Sequence, residues 1–138
     1  MSSIRSQARE LAFKIFFAMD MGKNPLPDVA TNFSYESPVA MDYALKLVKG
    51  VVEHLQEIDE KIVSLLENWD FSRLAVPDKE ILRLAIYEID YLSDGEAGPI
   101  VYDAVEIAKK YGTENSGEFV NGILRSYLRR KQNAAQEA

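Results

Sequence analysis

The chain has no cysteine, one histidine, one tryptophan, seven glycines and five prolines in 138 residues. Without cysteine there is neither a disulfide nor a thiolate metal site, which fits a cytoplasmic protein. The sole histidine, His54, has Glu53 and Glu57 beside it. One imidazole and two carboxylates on a single surface helix are a common arrangement, and no metal centre is read from them. No apolar run approaches the roughly 20 residues of a membrane span. Residues Met1 to Lys14 lack the apolar stretch of a secretory signal. The phosphate-loop, dinucleotide, zinc-protease and nucleophile-elbow motifs are all missing. No catalytic residue, metal or cofactor is expected, and the chain reads as a non-enzyme.

What is present is charge, unevenly spread. The net charge is −6, which taken as a whole disfavours nucleic acid. Residues 1–14 nevertheless carry +2, residues 109–131 carry +4, and residues 15–108 carry −11. If the two ends lie side by side, they form a basic patch on an acidic body. Such a molecule can hold RNA on one face and a basic protein on another. For Arg129, Arg130 and Lys131 the competing reading is complementation of a helix C-terminal dipole.

Apolar residues recur with helical period throughout, and no alternating strand pattern lasts. Ile4, Ala8, Leu11, Ala12, Ile15, Phe16 and Met19 mark a first helix, with Ser2 or Ser3 as its N-cap. Asp20 to Pro38 reads as a loop with one short helix from Pro27 to Phe33. A long helix follows from Ala40, bending near His54 to Glu57 and continuing to Leu66. Gly50 inside it costs roughly 1 kcal/mol relative to alanine, which points to a close helix contact. Pro77 suits the first turn of the next helix, with Asp78 and Glu80 at its positive end. That helix, to Leu92, is apolar on most sides and is expected at the centre of the core. Tyr87 on it is expected to keep its hydroxyl at the core's edge, and Arg83 and Glu88 to form structural ion pairs or partner contacts. Ser93 to Pro99, with Gly95 and Gly98, reads as a turn. Two more helices bury Ile100 to Ala108 and Phe119 to Leu128. The expectation is an all-α, compact bundle of about seven helices. Residues 1–131 form the domain, and 132–138 a polar, disordered tail.

The joint between the last two helices gathers unusual chemistry. Tyr111-Gly112 ends the first, with Gly112 expected in the left-handed C′ geometry. Thr113, Asn115 and Ser116 offer N-cap oxygens, and Asn115 to Glu118 has capping-box spacing. Exposed N–H groups at a helix start, two aromatics and flanking lysines and arginines suit a single-stranded RNA. Taken alone, these residues favour a capped turn with two core aromatics. In Phe119-Val120-Asn121-Gly122 the glycine is expected to serve close packing and Asn121 a structural role.

The stretch DAVEIAKKYGTENSGEFVNGIL resembles the C-terminal signature of NusB-type transcription antitermination factors. LAVPDKEILRLAIYEI and SQARELAFKIFFAMD resemble two further blocks of that family, in the same order. The resemblance implies two packed helical sub-bundles with the first helix against the C-terminal half. It implies binding of boxA-type single-stranded RNA together with NusE, a ribosomal protein, within the RNA polymerase antitermination complex. The outcome would be suppression of premature termination in ribosomal RNA operons.

Carried over residue by residue, the RNA-binding expectation falls on Arg5, Gln7, Arg9, Phe13, Lys110, Tyr111, Asn115 and Phe119. Ser6 and Gln7 stand where the family's cluster has arginines, and each lost phosphate contact weakens the electrostatic attraction. Phe13 and Phe17 read either as stacking residues or as core, with core favoured for Phe17. The protein partner is expected at Asp78 and Glu80, since a ribosomal protein is basic. The alternative is a helical adapter with weak or no RNA binding. A related helical domain fronts some rRNA cytosine methyltransferases; with no Rossmann-like half and no cysteine, that enzyme is not expected.

Overall fold

The structure, a computed structural model, describes residues 3–33, 37–67, 70–93 and 96–137. Among them are seven α-helices: α1 (Ile4–Gly22), α2 (Leu26–Ala30), α3 (Pro38–Glu53), α4 (Leu55–Leu65), α5 (Val76–Tyr87), α6 (Gly98–Tyr111) and α7 (Ser116–Glu137). The fold is all-α, as the periodicity implies. Ser3 caps α1, its hydroxyl accepting from the Ser6 N–H at 3.0 Å. Ser2, the other candidate, lies outside the described residues, as does Gly95 of the expected turn. Pro38 and Pro77 sit in the first turns of α3 and α5, where a missing N–H costs nothing. α1 ends at Lys23, whose φ of 58° closes the helix in left-handed geometry without a glycine.

α5 is the hub, packed against α1, α3, α4, α6 and α7. α1 lies along α3 and reaches across to α5 and α6, while α6 and α7 form a closely packed pair beside α5. Ile81, Leu82, Ile86 and Ile89 are buried on successive sides of this segment, which accounts for its nearly all-round apolar pattern. The close contact expected at Gly50 is real: a Cβ there would run into the ring and hydroxyl of Tyr87. The α3–α4 bend falls at His54, whose N–H is shared between the Gly50 and Val51 carbonyls. After Tyr87 the helix widens into a π-turn, Glu88–Leu92. Such widened turns redirect side chains, and here two carboxylates, Glu88 and Asp90, leave it toward different helices.

Several local expectations are corrected. Gly112 has φ −94° and ψ −159°, so left-handed geometry is not its reason. A Cβ at Gly112 would collide with the Ser116 side chain and stand 2.8 Å from the Ala108 carbonyl oxygen, so the joint needs glycine for room. A Cβ at Gly122 would meet nothing within 4 Å, whereas one at Gly117 would lie 2.9 Å from Lys109 Cγ; the close α6–α7 approach runs through Gly117. Asn121 is exposed and accepts from Arg125 at 3.4 Å, its one partner among the described residues, so it is a surface residue. α7 also continues as exposed helix through the polar residues 132–137, where composition predicts a disordered tail.

Candidate nucleic-acid interface

The N-terminal half of α1 meets the end of α6 at the surface, so the two basic segments of the sequence come together at Lys110 and Tyr111, while Arg130 and Lys131 of α7 reach Ser64 and Asp90 instead. Glu10 ties them: its Oε2 accepts from Lys110 Nζ at 2.8 Å and from the Tyr111 hydroxyl at 2.7 Å. Burial pushes the Glu10 carboxyl up, but these hydrogen bonds outweigh it and hold the group below the usual carboxylate range. Phe13 packs against the Tyr111 ring, centroids 5.0 Å apart, and stacks on Phe17 at 5.7 Å.

Arg9 is placed differently from the sequence expectation. Its Nη1 lies 2.8 Å from Asp103 of α6, and its other nitrogens grip Glu88 beyond α5. The side chain is only 11% exposed. Two carboxylates therefore neutralise it, and it offers no free charge to a phosphate. Ser6 donates to the same Asp103 at 2.8 Å instead of standing ready for RNA. Phe13 is 3% exposed and belongs to the core; its ring is covered and not presented for stacking. Arg5 and Gln7 remain exposed. The Arg5 guanidinium rests 4.1 Å above the Tyr43 ring and donates to its hydroxyl at 3.2 Å. Tyr43 in turn donates to Glu88 at 2.8 Å.

At the joint the expected Asn115–Glu118 capping box does not form. Instead the Ser116 hydroxyl accepts from the Thr113 N–H at 2.9 Å, and the Thr113 hydroxyl accepts from the Asn115 N–H at 3.3 Å. This leaves Asn115 exposed. Phe119 is half-buried and lines a surface cleft with Thr113, Asn115, Arg73, Leu74, Ala75 and Asp78. An amide, a ring edge and an arginine around one open cleft can read and stack an unpaired base.

Asp78 and Glu80 do not form an exposed acidic turn. Asp78 is 7% exposed, with Ser116 of α7 closing over it, and burial raises its pKa despite that hydroxyl. Glu80 is fully buried. Burial first, and then the nearby Asp20 at the end of α1, push its carboxyl up to about 8. Its nearest cation is Arg83, 3.7 Å from Oε2, and Arg83 is itself committed to Asp59 at 2.8 Å. The first turn of α5 reads as solvent-facing in the sequence because α1 and α7, which cover it, are distant along the chain. Asp78 keeps an edge on the cleft; Glu80 reaches no surface. Arg83 and Glu88 are structural ion-pair members, as expected, each with a partner on another helix. Tyr87, 9% exposed, stacks at 5.0 Å on Tyr91.

A family model described as the NusB family matches residues 6–129. The chain is 45% identical over 122 residues to the transcription antitermination protein NusB of Pseudothermotoga lettingae, covering 87% of each. It is 40% identical over 135 residues to that of Desulforamulus reducens, covering 95% of this chain and 94% of the relative. The fold superposes on NusB of T. maritima with a TM-score of 0.84 and 36% identity, over 94% of this chain and 93% of that one. It is also similar to a protein in a crystal structure of antitermination factors NusB and NusE in complex with dsRNA. There the TM-score is 0.82 and the identity 31%, over 94% of this chain and 99% of the other.

Proposed function

This chain belongs to the NusB family, and on that premise we propose that it is a transcription antitermination factor. It binds boxA-type single-stranded RNA together with NusE, joins the RNA polymerase antitermination complex in the cytoplasm, and suppresses premature termination in ribosomal RNA operons. It acts by binding and carries out no reaction. The observation that carries this reading is the likeness, across nearly the whole chain, to the protein seen with NusE and dsRNA. The cleft of Thr113, Asn115 and Phe119 supports it by offering an exposed amide beside a ring. Of the eight RNA-binding candidates, Arg5, Gln7, Lys110, Tyr111, Asn115 and Phe119 stay at or near the surface, and Arg9 and Phe13 support them from within. On the partner side, only Asp78 keeps access to the same cleft.

The test is fluorescence anisotropy with labelled boxA RNA, with and without NusE. Tight, sequence-selective binding by the pair, far exceeding either protein alone, is the expected result. No binding under either condition would overturn the reading. A second reading, an adapter with weak RNA binding of its own, draws on one observation: Arg9 and Lys110 are each paired with a carboxylate of the same chain, Arg9 within the fold and Lys110 at its surface. It predicts a normal NusE complex with no boxA preference.

A further inference from the structure

We propose that the exposed arginines of α7, Arg125 and Arg129 with Arg130 beside them, form a phosphate track that continues the RNA path beyond Phe119; this rests on the RNA-binding reading above.

The dipole explanation for these residues fails in the structure. α7 runs to Glu137, and its last turn holds no basic residue. Arg125 to Arg130 therefore sit in mid-helix, where complementing a C-terminal dipole is worth little. Their charges are also unspent. Among the described residues Arg129 has no hydrogen-bond or ion-pair partner, Arg125 touches only the Asn121 amide, and Arg130 donates to the Ser64 carbonyl and hydroxyl. Among the described residues none of the three meets a carboxylate. The contrast with Arg9 and Lys110 is direct, since Arg9 faces Glu88 and Asp103 and Lys110 faces Glu10; Arg5 rests on the Tyr43 ring.

Geometry places them in line with the joint. Residues 118, 122, 125 and 129 recur at helical spacing and share one face of α7, with Asn115 just before its first residue. Asn115, Gly122, Arg125 and Arg129 are all exposed along it. At 1.5 Å per residue, Arg125 and Arg129 stand about 9 and 15 Å from Phe119 along the axis. Between them Gly122 leaves the helix surface bare, with no neighbour within 4 Å of where a Cβ would stand. A strand leaving a base at Phe119 can run over this bare segment with its phosphates toward the arginines. The single acid on this face, Glu118, lies at the joint end. The chain with a thinned arginine arm on α1 thus adds the α7 arginines to Arg5 as a source of long-range attraction for RNA.

The experiment is a salt titration of boxA RNA binding by the full chain, with NusE present, from about 50 to about 200 mM. Wild type is compared with Arg125→Ala/Arg129→Ala and with Arg125→Lys/Arg129→Lys. The alanine pair should lose affinity severalfold at low salt and reduce the slope of log K against log salt by about 1.4, two single-strand contacts' worth. The lysine pair should keep the slope. Extending the RNA by a few nucleotides at one end should strengthen wild type and leave the alanine pair unchanged. All three proteins should melt alike, since the side chains are exposed. An unchanged slope in the alanine pair would overturn the track while leaving the RNA reading intact. Unchanged RNA binding with lost assembly onto another protein would also overturn it, assigning the ridge to an acidic protein surface. Absence of RNA binding by wild type would overturn both.

Discussion

Arg9 and Glu88, 79 residues apart, form a two-pronged ion pair, with Nε 3.0 Å from Oε1 and Nη2 2.8 Å from Oε2. Glu88 is 2% exposed. Removing one member of such a pair strands a charge in a region of low polarisability. Arg9→Ala is therefore expected to cost about 3 kcal/mol or more in stability. Chemical denaturation will measure it. Arg9→Ala/Glu88→Gln should recover part of the loss, because the stranded carboxylate is gone. An Arg9→Ala protein as stable as wild type would show that the pair is not desolvated.

Gly50→Ala should destabilise the fold by about 1–3 kcal/mol, the usual cost of overpacking. The Tyr87 ring occupies the place of the new methyl and must move. Tyr87 also forms a three-ring cluster with His54 and Tyr91, so the disturbance should reach the aromatic near-ultraviolet circular dichroism signal. Gly122→Ala, with open space around it, should instead stabilise by up to about 1 kcal/mol through helix propensity. Equal effects at the two sites would refute the packing argument.

The pH dependence has opposed sources, of which Glu80 and Asp90 are one of each sign. Glu80 titrates near 8 in the fold, above its ordinary value of 4.5. The folded state then holds a proton that the unfolded state releases, so stability falls as pH rises between about 4.5 and 8. Glu80→Gln should remove that slope and leave the protein about 4 kcal/mol more stable at pH 8, with the difference fading toward pH 5. Asp90 shifts the other way. Burial raises it, but hydrogen bonds from Lys61, Tyr127 and Lys131 prevail and lower it. Its contribution is present above the unfolded pKa and is lost as pH falls through the folded one. Asp90→Asn should therefore weaken the fold at neutral pH and flatten its acid denaturation. Melting temperatures across the pH range will separate the two.

Phe119→Leu should lose about 1–3 kcal/mol of RNA affinity, the worth of a stacked base, while melting near the wild-type temperature. Phe119 is half-buried beside Asn115 in the open cleft, so its ring edge is available. Phe13→Leu should do the reverse, because that ring is enclosed against Tyr111 and Phe17. If Phe119→Leu binds RNA normally and melts early, Phe119 is a core residue.

The helices were legible in the sequence because burial repeats every three or four residues and prolines mark the starts of α3, α5 and α6. The centrality of α5 followed from its lack of a polar face. Gly50 was legible too, since an unfavourable residue in a helix needs a reason. The fate of the charges was not. Arg9 meets partners 79 and 94 residues away, and nothing local distinguishes it from Arg5. Asp78 and Glu80 have the local signature of an exposed first turn, yet α1 and α7 fold over them. Gly112 and Gly122 show the same limit: a glycine's neighbours in space decide its role, and those lie outside any sequence window.

The π-turn at Glu88–Leu92 has a consequence for the route by which the chain folds. Its two carboxylates receive groups from α1, α3, α4 and α7: Arg9 and Tyr43 at Glu88, Lys61 and Tyr127 at Asp90. These partners span the chain from residue 9 to residue 127. A half-collapsed intermediate that buries the end of α5 before all of them arrive would carry an orphaned negative charge out of water. Such states are penalised, while those that keep the turn wet remain expanded. The turn is thereby expected to disfavour compact partial structures, and near- and far-ultraviolet circular dichroism should report one coincident unfolding transition.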